Sequence, residues 1–156
     1  MRIHLVFIGK TAFRDIDSAI GRYMERLQHY CPVEVNYVKA EKITGAVGDQ
    51  VVRERESERI LKLTGHGGHL IVCDQRGREL DSPGLSKLME KLMASGTSDL
   101  WMAVGGPVGI SSQLLKSASD VLSFSKMTLP HDLARLILVE QLYRALTIIR
   151  GEPYNR

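Results

Sequence analysis

The chain has 156 residues, of which 44% are hydrophobic and 25% are charged, and it carries a formal net charge of +3. This composition is typical of a soluble globular protein, and a chain of this length buries roughly two-thirds of its unfolded surface, so it needs no disulfide or metal to fold. A charge of +3 gives only weak support for a polyanionic partner. Because the sequence has no repeat, linker or low-complexity segment, we expect one domain over residues 1–156.

The cysteines and the apolar runs argue against export and against membrane insertion. Cys31 and Cys73 have no neighbour at metal-ligand spacing and do not form a disulfide framework, which favours two reduced thiols in a cytosolic protein. The longest apolar run near the start, Leu5–Ile8, is too short for the core of a signal peptide or for a membrane span. The protein is therefore predicted to be cytoplasmic.

Apolar residues recur along the chain with periods that alternate between strand and helix. The predicted elements are strands at 3–8, 33–38, 69–74, 100–104 and 120–125, and helices at 15–30, 51–63, 82–95, 111–119 and 131–149. A loop is predicted at 39–50, turns at 65–68 and around Gly77, and a short polar tail at 151–156. Because strands alternate with helices, the predicted fold class is α/β, with a mostly parallel sheet and helices on both faces.

Two of the predicted helices have distinctive surfaces. The helix at 51–63 carries a dense charged face, which is made of Arg53, Glu54, Arg55, Glu56, Glu58 and Arg59. That face is either a solvated surface with i,i+4 ion pairs or a direct contact with RNA. The helix at 131–149 is apolar nearly all round, so we expect it to be buried on most sides, either within the chain or against a second copy.

Ligands of open parallel sheets bind beyond the carboxyl ends of the strands. Asp74 ends the third strand, Gly105-Gly106-Pro107-Val108-Gly109 follows the fourth, and the stretch 124–129 ends the fifth. Glycines let a ligand approach the backbone and permit positive φ, although such a cluster is also a common structural turn. Its spacing fits neither the dinucleotide fingerprint nor the P-loop. We expect the ends of the last two strands to be adjacent walls of one crevice, whose ligand these patterns do not identify.

The same residues carry a family resemblance. The motifs are Gly105-Gly106-Pro107-x-Gly109, Thr128-Leu129-Pro130-His131, Glu140-x-Leu142-Tyr143-Arg144-Ala145 and Pro153-Tyr154. Together they resemble the signature of ribosomal RNA large subunit methyltransferase H, a family of the SPOUT superfamily. The resemblance implies transfer of a methyl group from S-adenosylmethionine to N3 of a pseudouridine in the helix 69 loop of large-subunit ribosomal RNA. It also implies a SPOUT-type fold with a C-terminal trefoil knot, and a homodimer that acts on assembled ribosomes.

The resemblance also implies a set of residues for the methyl-donor pocket. These are Cys73, Gly105, Gly106, Phe124, Ser125, Lys126, Met127, Thr128 and Leu129. Backbone groups of the loops would bind the adenine edge while the apolar side chains form walls, as in most small-ligand sites. Cys73 occupies a position where the family usually has an aliphatic residue. No metal is implied, since His66 and His69 flank glycines and are interpreted as loop residues.

For the substrate, the resemblance points to His131, Arg144 and Tyr154. His131 is the first candidate for the general base that removes the N3 proton, or else it is simply the residue at the start of a helix. Arg144 would stabilise the negative charge that develops on the ring oxygens, or else form a structural ion pair with Glu140, four residues before it. Tyr154, in a tail with little else to bury, could stack on a base, and the tail is expected to help complete the partner subunit's site.

The chain departs from the family at two places. Val108 occupies a position that is often acidic, and Asn155-Arg156 follows the tail tyrosine where the family often has His-Arg, so no tail histidine can accept the proton here. Arg156 could add a phosphate contact, or be a solvated terminal charge. Two other functions remain open, namely a non-catalytic RNA-binding or ribosome-assembly protein and a nucleotide- or flavin-binding module. Titration with S-adenosylmethionine separates them from a methyltransferase.

Overall fold

The computed structural model describes residues 1–43 and 47–155, so that residues 44–46 of the predicted loop and the predicted phosphate contact of Arg156 lie outside the described residues. The described strands are β1 (Arg2–Ile8), β2 (Val33–Val38), β3 (His69–Glu79), β4 (Asp99–Val104) and β5 (Asp120–Ser123). The helices are α1 (Arg14–Gln28), α2 (Asp49–Thr64), α3 (Ser82–Ala94), α4 (Ser112–Ser117) and α5 (His131–Ile149), followed by a 3₁₀ turn at Pro153–Asn155.

The strands form one sheet in the order β2-β1-β4-β3-β5, and every described pair of neighbours is parallel. The predicted α/β class with a parallel sheet is thereby confirmed. The carboxyl ends of all five strands consequently lie along one edge. β4 and β5 do not pair with each other in this sheet, because β3 lies between them. Sheet order depends on long-range packing, which the local periodicity of apolar residues does not encode.

The third strand is longer than the sequence predicts. It continues to Glu79, and both Cys73 and Arg78 lie opposite Leu122 of β5, so residues 74–77 form an irregular excursion within the strand rather than its end. A Cβ atom on Gly77 would lie 2.6 Å from the carbonyl of Val121, which explains why glycine occupies the excursion. The residues after Cys73 lack the apolar periodicity of a buried strand, and only Arg78 and Glu79 among them pair with β5, so the sequence does not reveal this continuation.

Helices cover both faces of the sheet, because successive side chains of a strand point to opposite faces. On one face, Ile3, Leu5 and Phe7 of β1 belong to a core cluster that also contains buried residues of α1, α3 and α5. On the other face, Val6 and Ile8 pack in a second cluster with buried residues of α2 and α4. Full burial of each large apolar side chain stabilises the fold by about 1.5–3 kcal/mol.

The last helix packs against α1 and α3 of its own chain. Leu138, Val139 and Leu142 are fully buried, whereas Leu133 near the start of α5 is 40% exposed. The expected burial is therefore largely supplied within the chain, and a second copy remains a prediction. Among the described residues, no helix combines the length and the apolar character needed to cross a bilayer.

Candidate functional site

A cavity of about 770 Å³ opens at the carboxyl edge of the sheet, beside the ends of β4 and β5 and the excursion at residues 74–77 of β3. This volume falls within the roughly 300–1,000 Å³ that is usual for small-molecule sites. Its walls include most of the residues expected to bind a methyl donor, namely Cys73, Gly105, Gly106, Phe124, Ser125, Met127, Thr128 and Leu129. Lys126, the remaining member of the expected set, is exposed and is not among the residues that line the cavity.

The glycine loop after β4 is tightly packed against its own protein. A Cβ atom on Gly105 would lie 2.6 Å from the Ile110 side chain, and one on Gly106 would lie 2.7 Å from Glu56. The backbone N–H of Gly109 donates to the carbonyl of Gly106 at 3.0 Å, and Gly109 has a φ of +82°. The glycines therefore meet structural requirements of the loop, and the loop presents backbone rather than side chains to the cavity.

Glu56 lies beneath this loop, and its buried position differs from the one predicted from the sequence. Its side chain was expected on the charged face of the helix, yet Glu56 is 2% exposed and points inward from α2. One carboxylate oxygen accepts the backbone N–H of Glu41 at 2.9 Å, while the other has no hydrogen-bond partner among the described residues. Burial raises the pKa of the Glu56 carboxyl above its ordinary value.

The loop after β5 is held by its own polar side chains. The Ser125 hydroxyl accepts the backbone N–H of Met127 at 2.9 Å, and the Ser123 hydroxyl donates to the Ser125 carbonyl at 2.9 Å. The Thr128 hydroxyl donates to the Gln75 side chain at 3.2 Å, which joins this loop to the excursion in β3. The loop after β5 and the excursion in β3 thus bound the cavity on two sides and are joined to each other by this hydrogen bond.

Three charged residues also line the cavity, and none was assigned to the methyl-donor pocket from the sequence. They are Arg53, Asp74 and Arg76. Arg76 forms a bidentate pair with Asp74, at 2.7 and 2.8 Å, and also donates to the Ile110 carbonyl at 3.1 Å. Burial alone would raise the pKa of the Asp74 carboxyl, but the hydrogen bonds and charge of Arg76 outweigh it and lower that pKa. Arg53 donates from Nε to the Val108 carbonyl at 2.8 Å.

The sequence places Asp74 beside the cavity but does not place Arg53 there. Asp74 directly follows an apolar run, so its position at the end of a buried strand was visible in the sequence. Arg53 has no local signal, because it reaches the cavity only through the packing of α2 beneath the glycine loop. Of the charged face on that helix, Arg53 is the member that lines the cavity, and Glu58 pairs with Lys62 on the surface at 3.0 Å.

Cys73 forms part of the cavity wall rather than a reactive group. Its side chain is buried, and burial, followed by the nearby charge of Asp74, raises the pKa of the thiol to about 12. The thiolate is the nucleophilic form of cysteine, so this thiol is unreactive near neutral pH. Cys31 and Cys73 are both free thiols, as the sequence predicts. Among residues 1–43 and 47–155, no group of three His, Cys, Asp or Glu side chains is placed to hold a metal.

The three residues expected to handle the substrate are not brought together within one chain. His131 begins α5 and lines the cavity with its side chain 31% exposed. Arg144 lies 13 residues further along the same helix, which corresponds to roughly 20 Å at 1.5 Å per residue. Tyr154 packs beside Arg144, so these two residues lie far from the cavity of their own chain.

Arg144 and Tyr154 belong to a compact cluster at the far end of α5. Arg144 forms the ion pair with Glu140 that the sequence suggests, at 2.7 Å, and its guanidinium lies 4.8 Å from the centre of the Tyr154 ring. The Tyr154 hydroxyl donates to Glu140 at 3.1 Å and lies 3.3 Å from the Tyr23 hydroxyl. Burial and these contacts raise the pKa of Tyr154 above its ordinary range. The tail is therefore docked on its own chain.

Sequence comparison finds a matching family model and similar proteins over the full length of the chain. A family model described as "Predicted SPOUT methyltransferase" matches residues 1–155. The chain is 54% identical over 157 aligned residues to a ribosomal RNA large subunit methyltransferase H from Syntrophobacter fumaroxidans, with all of both chains covered. It is 40% identical to the protein of the same name from Acetivibrio thermocellus, again over the full length of both chains.

A solved structure with a similar fold is that of a probable methylase family protein from Haemophilus influenzae Rd KW20. It superimposes with a TM-score of 0.58 over 99% of this chain and 70% of that chain, at 12% sequence identity. At such low identity the likeness concerns the arrangement of strands and helices alone.

Proposed function

The chain belongs to the ribosomal RNA large subunit methyltransferase H family of SPOUT methyltransferases, and on that premise we propose that it methylates large-subunit ribosomal RNA. More specifically, we propose that it transfers a methyl group from S-adenosylmethionine to N3 of a pseudouridine in the helix 69 loop. The observation that carries this proposal is the single cavity that eight of the nine expected donor-binding residues line.

The cavity suits a donor of this kind. S-adenosylmethionine supplies the electrophilic methyl group when it is bound. The loops after β4 and β5 would bind it through backbone groups, because Gly105 and Gly106 line the cavity and have only backbone atoms to offer. Leu129 and Phe124 would supply apolar walls, and the uncharged Cys73 thiol would close the floor beneath them.

The chemistry requires that the imide proton leave N3 before or during methyl transfer. His131, which lines the cavity, takes this proton, and the electron pair left at N3 forms the new N–C bond as the C–S bond to the donor breaks. A positioned general base contributes roughly 10²–10⁴-fold to such a rate. Arg144 stabilises the negative charge on the ring oxygens, and Tyr154 stacks on a base of the RNA.

Arg144 and Tyr154 lie roughly 20 Å from His131 in the same chain, counted along α5 at 1.5 Å per residue. We therefore propose that each active site combines His131 of one subunit with Arg144 and Tyr154 of a second copy, in a homodimer. The proposal also includes a single domain over residues 1–156 with a C-terminal trefoil knot. The protein would act on assembled ribosomes in the cytoplasm and would require no metal.

Calorimetric titration with S-adenosylmethionine, followed by methyl transfer to ribosomes lacking the modification, tests this function. We expect saturable binding at one site per chain and incorporation of one labelled methyl group per ribosome, which mass spectrometry of digested RNA would assign to N3. The Gly105→Ala variant should bind the donor less tightly, since the added Cβ would displace the loop. Absence of donor binding to the folded wild-type protein would contradict the proposal and favour a non-catalytic RNA-binding protein.

A further inference from the structure

A buried ion pair between Asp132 and Arg135 lies within the first turns of α5. Arg135 is fully buried, and its guanidinium donates to the Ile8 carbonyl at the end of β1 and to the Thr11 hydroxyl at 3.3 Å. The guanidinium also lies 5.1 Å from the centre of the Phe7 ring. Arg135 thus fixes the first turn of α5 to the carboxyl edge of the sheet.

Asp132, the partner of Arg135, is 2% exposed and uses its two oxygens differently. Oδ2 accepts the backbone N–H of Ala12 at 2.9 Å, which holds the carboxylate in place. Oδ1 lies 3.3 Å from Nη1 of Arg135 and 3.3 Å from Nε2 of His131. Neither contact has the geometry of a hydrogen bond, so Oδ1 is a buried oxygen without a hydrogen-bond partner among the described residues.

A buried carboxylate oxygen without a donor is unfavourable, and almost all such atoms in folded proteins acquire one. Arg135 is held by Ile8 and Thr11, whereas the His131 side chain is 31% exposed and borders the open cavity. A small rotation of the imidazole would let an Nε2–H group donate to Oδ1. A neutral imidazole carries one proton, so Nδ1 would then be the nitrogen with the free electron pair.

We propose that Asp132 is a positioning residue that holds the His131 imidazole with its proton on Nε2 and leaves Nδ1 as the proton acceptor. The consequence for methyl transfer rests on the proposed function, in which the N3–H bond breaks and an Nδ1–H bond forms. Asp132 acts only through His131. It is itself anchored by Ala12 and Arg135, so the orientation of the imidazole is set by the body of the fold rather than by the substrate.

The tautomer of His131 can be observed directly in the full-length protein without donor or RNA. Two-bond proton–nitrogen correlation spectra of protein labelled with ¹⁵N-histidine distinguish the two neutral forms at alkaline pH. Loss of one set of signals in the His131→Gln variant assigns that residue. We expect wild-type His131 to carry its proton on Nε2, and that proton to exchange with solvent more slowly than the ring protons of His66, which is exposed.

The Asp132→Asn variant tests whether Asp132 determines the tautomer of His131. An asparagine whose oxygen keeps the Ala12 contact turns its NH₂ group toward His131, so Nε2 should become the acceptor and the proton should move to Nδ1. Asp120→Asn is the matched control, because Asp120 contacts Nε2 of His69 at 2.7 Å at the opposite edge of the sheet. That variant should change the His69 signals and leave those of His131 unchanged.

Methyl-transfer rates distinguish a loss of His131 positioning from a general loss of stability. For Asp132→Asn we expect a single-turnover methyl-transfer rate about 10²-fold lower, with unchanged affinity for S-adenosylmethionine and no further loss when His131→Gln is added. Asp120→Asn should keep the wild-type rate. If the wild-type protein transfers no methyl group, the proposed function fails while the tautomer experiment still decides the role of Asp132.

Three outcomes would overturn the inference. They are a wild-type His131 with its proton on Nδ1, the same tautomer in wild type and Asp132→Asn, or a reversed tautomer with no loss of an otherwise measurable rate. If Asp132→Asn does not fold, as loss of the native His69 signals would reveal, the wild-type tautomer and its exchange rate relative to His66 decide the question.

Discussion

Gly106 and Glu56 meet at a point where the chain has no room for one further carbon atom: a Cβ on Gly106 would lie 2.7 Å from a carboxylate oxygen of Glu56. This contact joins the loop after β4 to helix α2 through a charged residue that is only 2% exposed. The position of the candidate donor-binding loop therefore depends on a side chain that precedes it by 50 residues.

The Gly106→Ala variant should lose about 1–3 kcal/mol of unfolding free energy, because the added methyl group overpacks the contact with Glu56, and its affinity for S-adenosylmethionine should fall as well. Urea unfolding and calorimetry measure the two effects. Gly21→Ala is the control, since a Cβ at Gly21 in α1 meets nothing within 4 Å and should stabilise the helix by about 0.5–1 kcal/mol. If Glu56→Ala does not reduce the effect of Gly106→Ala, the contact is not the cause.

The free energy of unfolding should depend on pH in part through the ionisation of Glu56. Burial raises the pKa of this carboxyl above its ordinary value of 4.5, so the folded state binds the proton more tightly than the unfolded state. Its contribution to stability is present below pH 4.5 and is lost as the pH rises through the raised pKa. Glu56→Gln, which cannot ionise, should gain stability relative to wild type as the pH rises from 4 to 7. Parallel urea-midpoint curves for the two proteins would contradict this prediction.

Arg53 should contact RNA phosphate if the proposed function holds, because it lines the cavity and its Nε is held by the Val108 carbonyl. Arg53→Gln should weaken RNA binding and lower the slope of log K against log salt by about 1. Filter binding or fluorescence anisotropy at several salt concentrations measures the slope. Arg55→Gln is the matched control, since the half-exposed Arg55 is not among the residues that line the cavity. Equal effects of both variants would indicate general charge attraction only.

Mixing two inactive variants should restore methyl transfer if sites combine residues of two subunits. In a dimer of His131→Ala with Arg144→Ala chains, one site would carry both changes and the other neither. Random reassociation of equal amounts should therefore recover about a quarter of the wild-type sites. Each variant alone, taken through the same denaturation and refolding, is the control. No recovery in mixed dimers that mass spectrometry shows to have formed would mean that His131 and Arg144 do not act across subunits.

The sequence by itself determined most of the elements and the edge where the cavity forms, although it did not reveal the continuation of β3 to Glu79. Apolar residues recur within a few positions of one another, so a strand such as 33–38 or a helix such as 131–149 is visible locally, and both were predicted with the bounds that the structure has. The glycines after β4 and the stretch 124–129, apart from Lys126, line one cavity, as expected from their places after two buried strands.

Only the tertiary structure decided which distant residues meet. The insertion of β3 between β4 and β5, the burial of Glu56 beneath Gly106, and the distance from His131 to Arg144 follow from how the sheet orders its strands and how the helices pack on it. These contacts join residues far apart in the chain, and their free energy depends on the shape of the whole core. The spacing of residues within one helix or strand therefore cannot predict these long-range contacts.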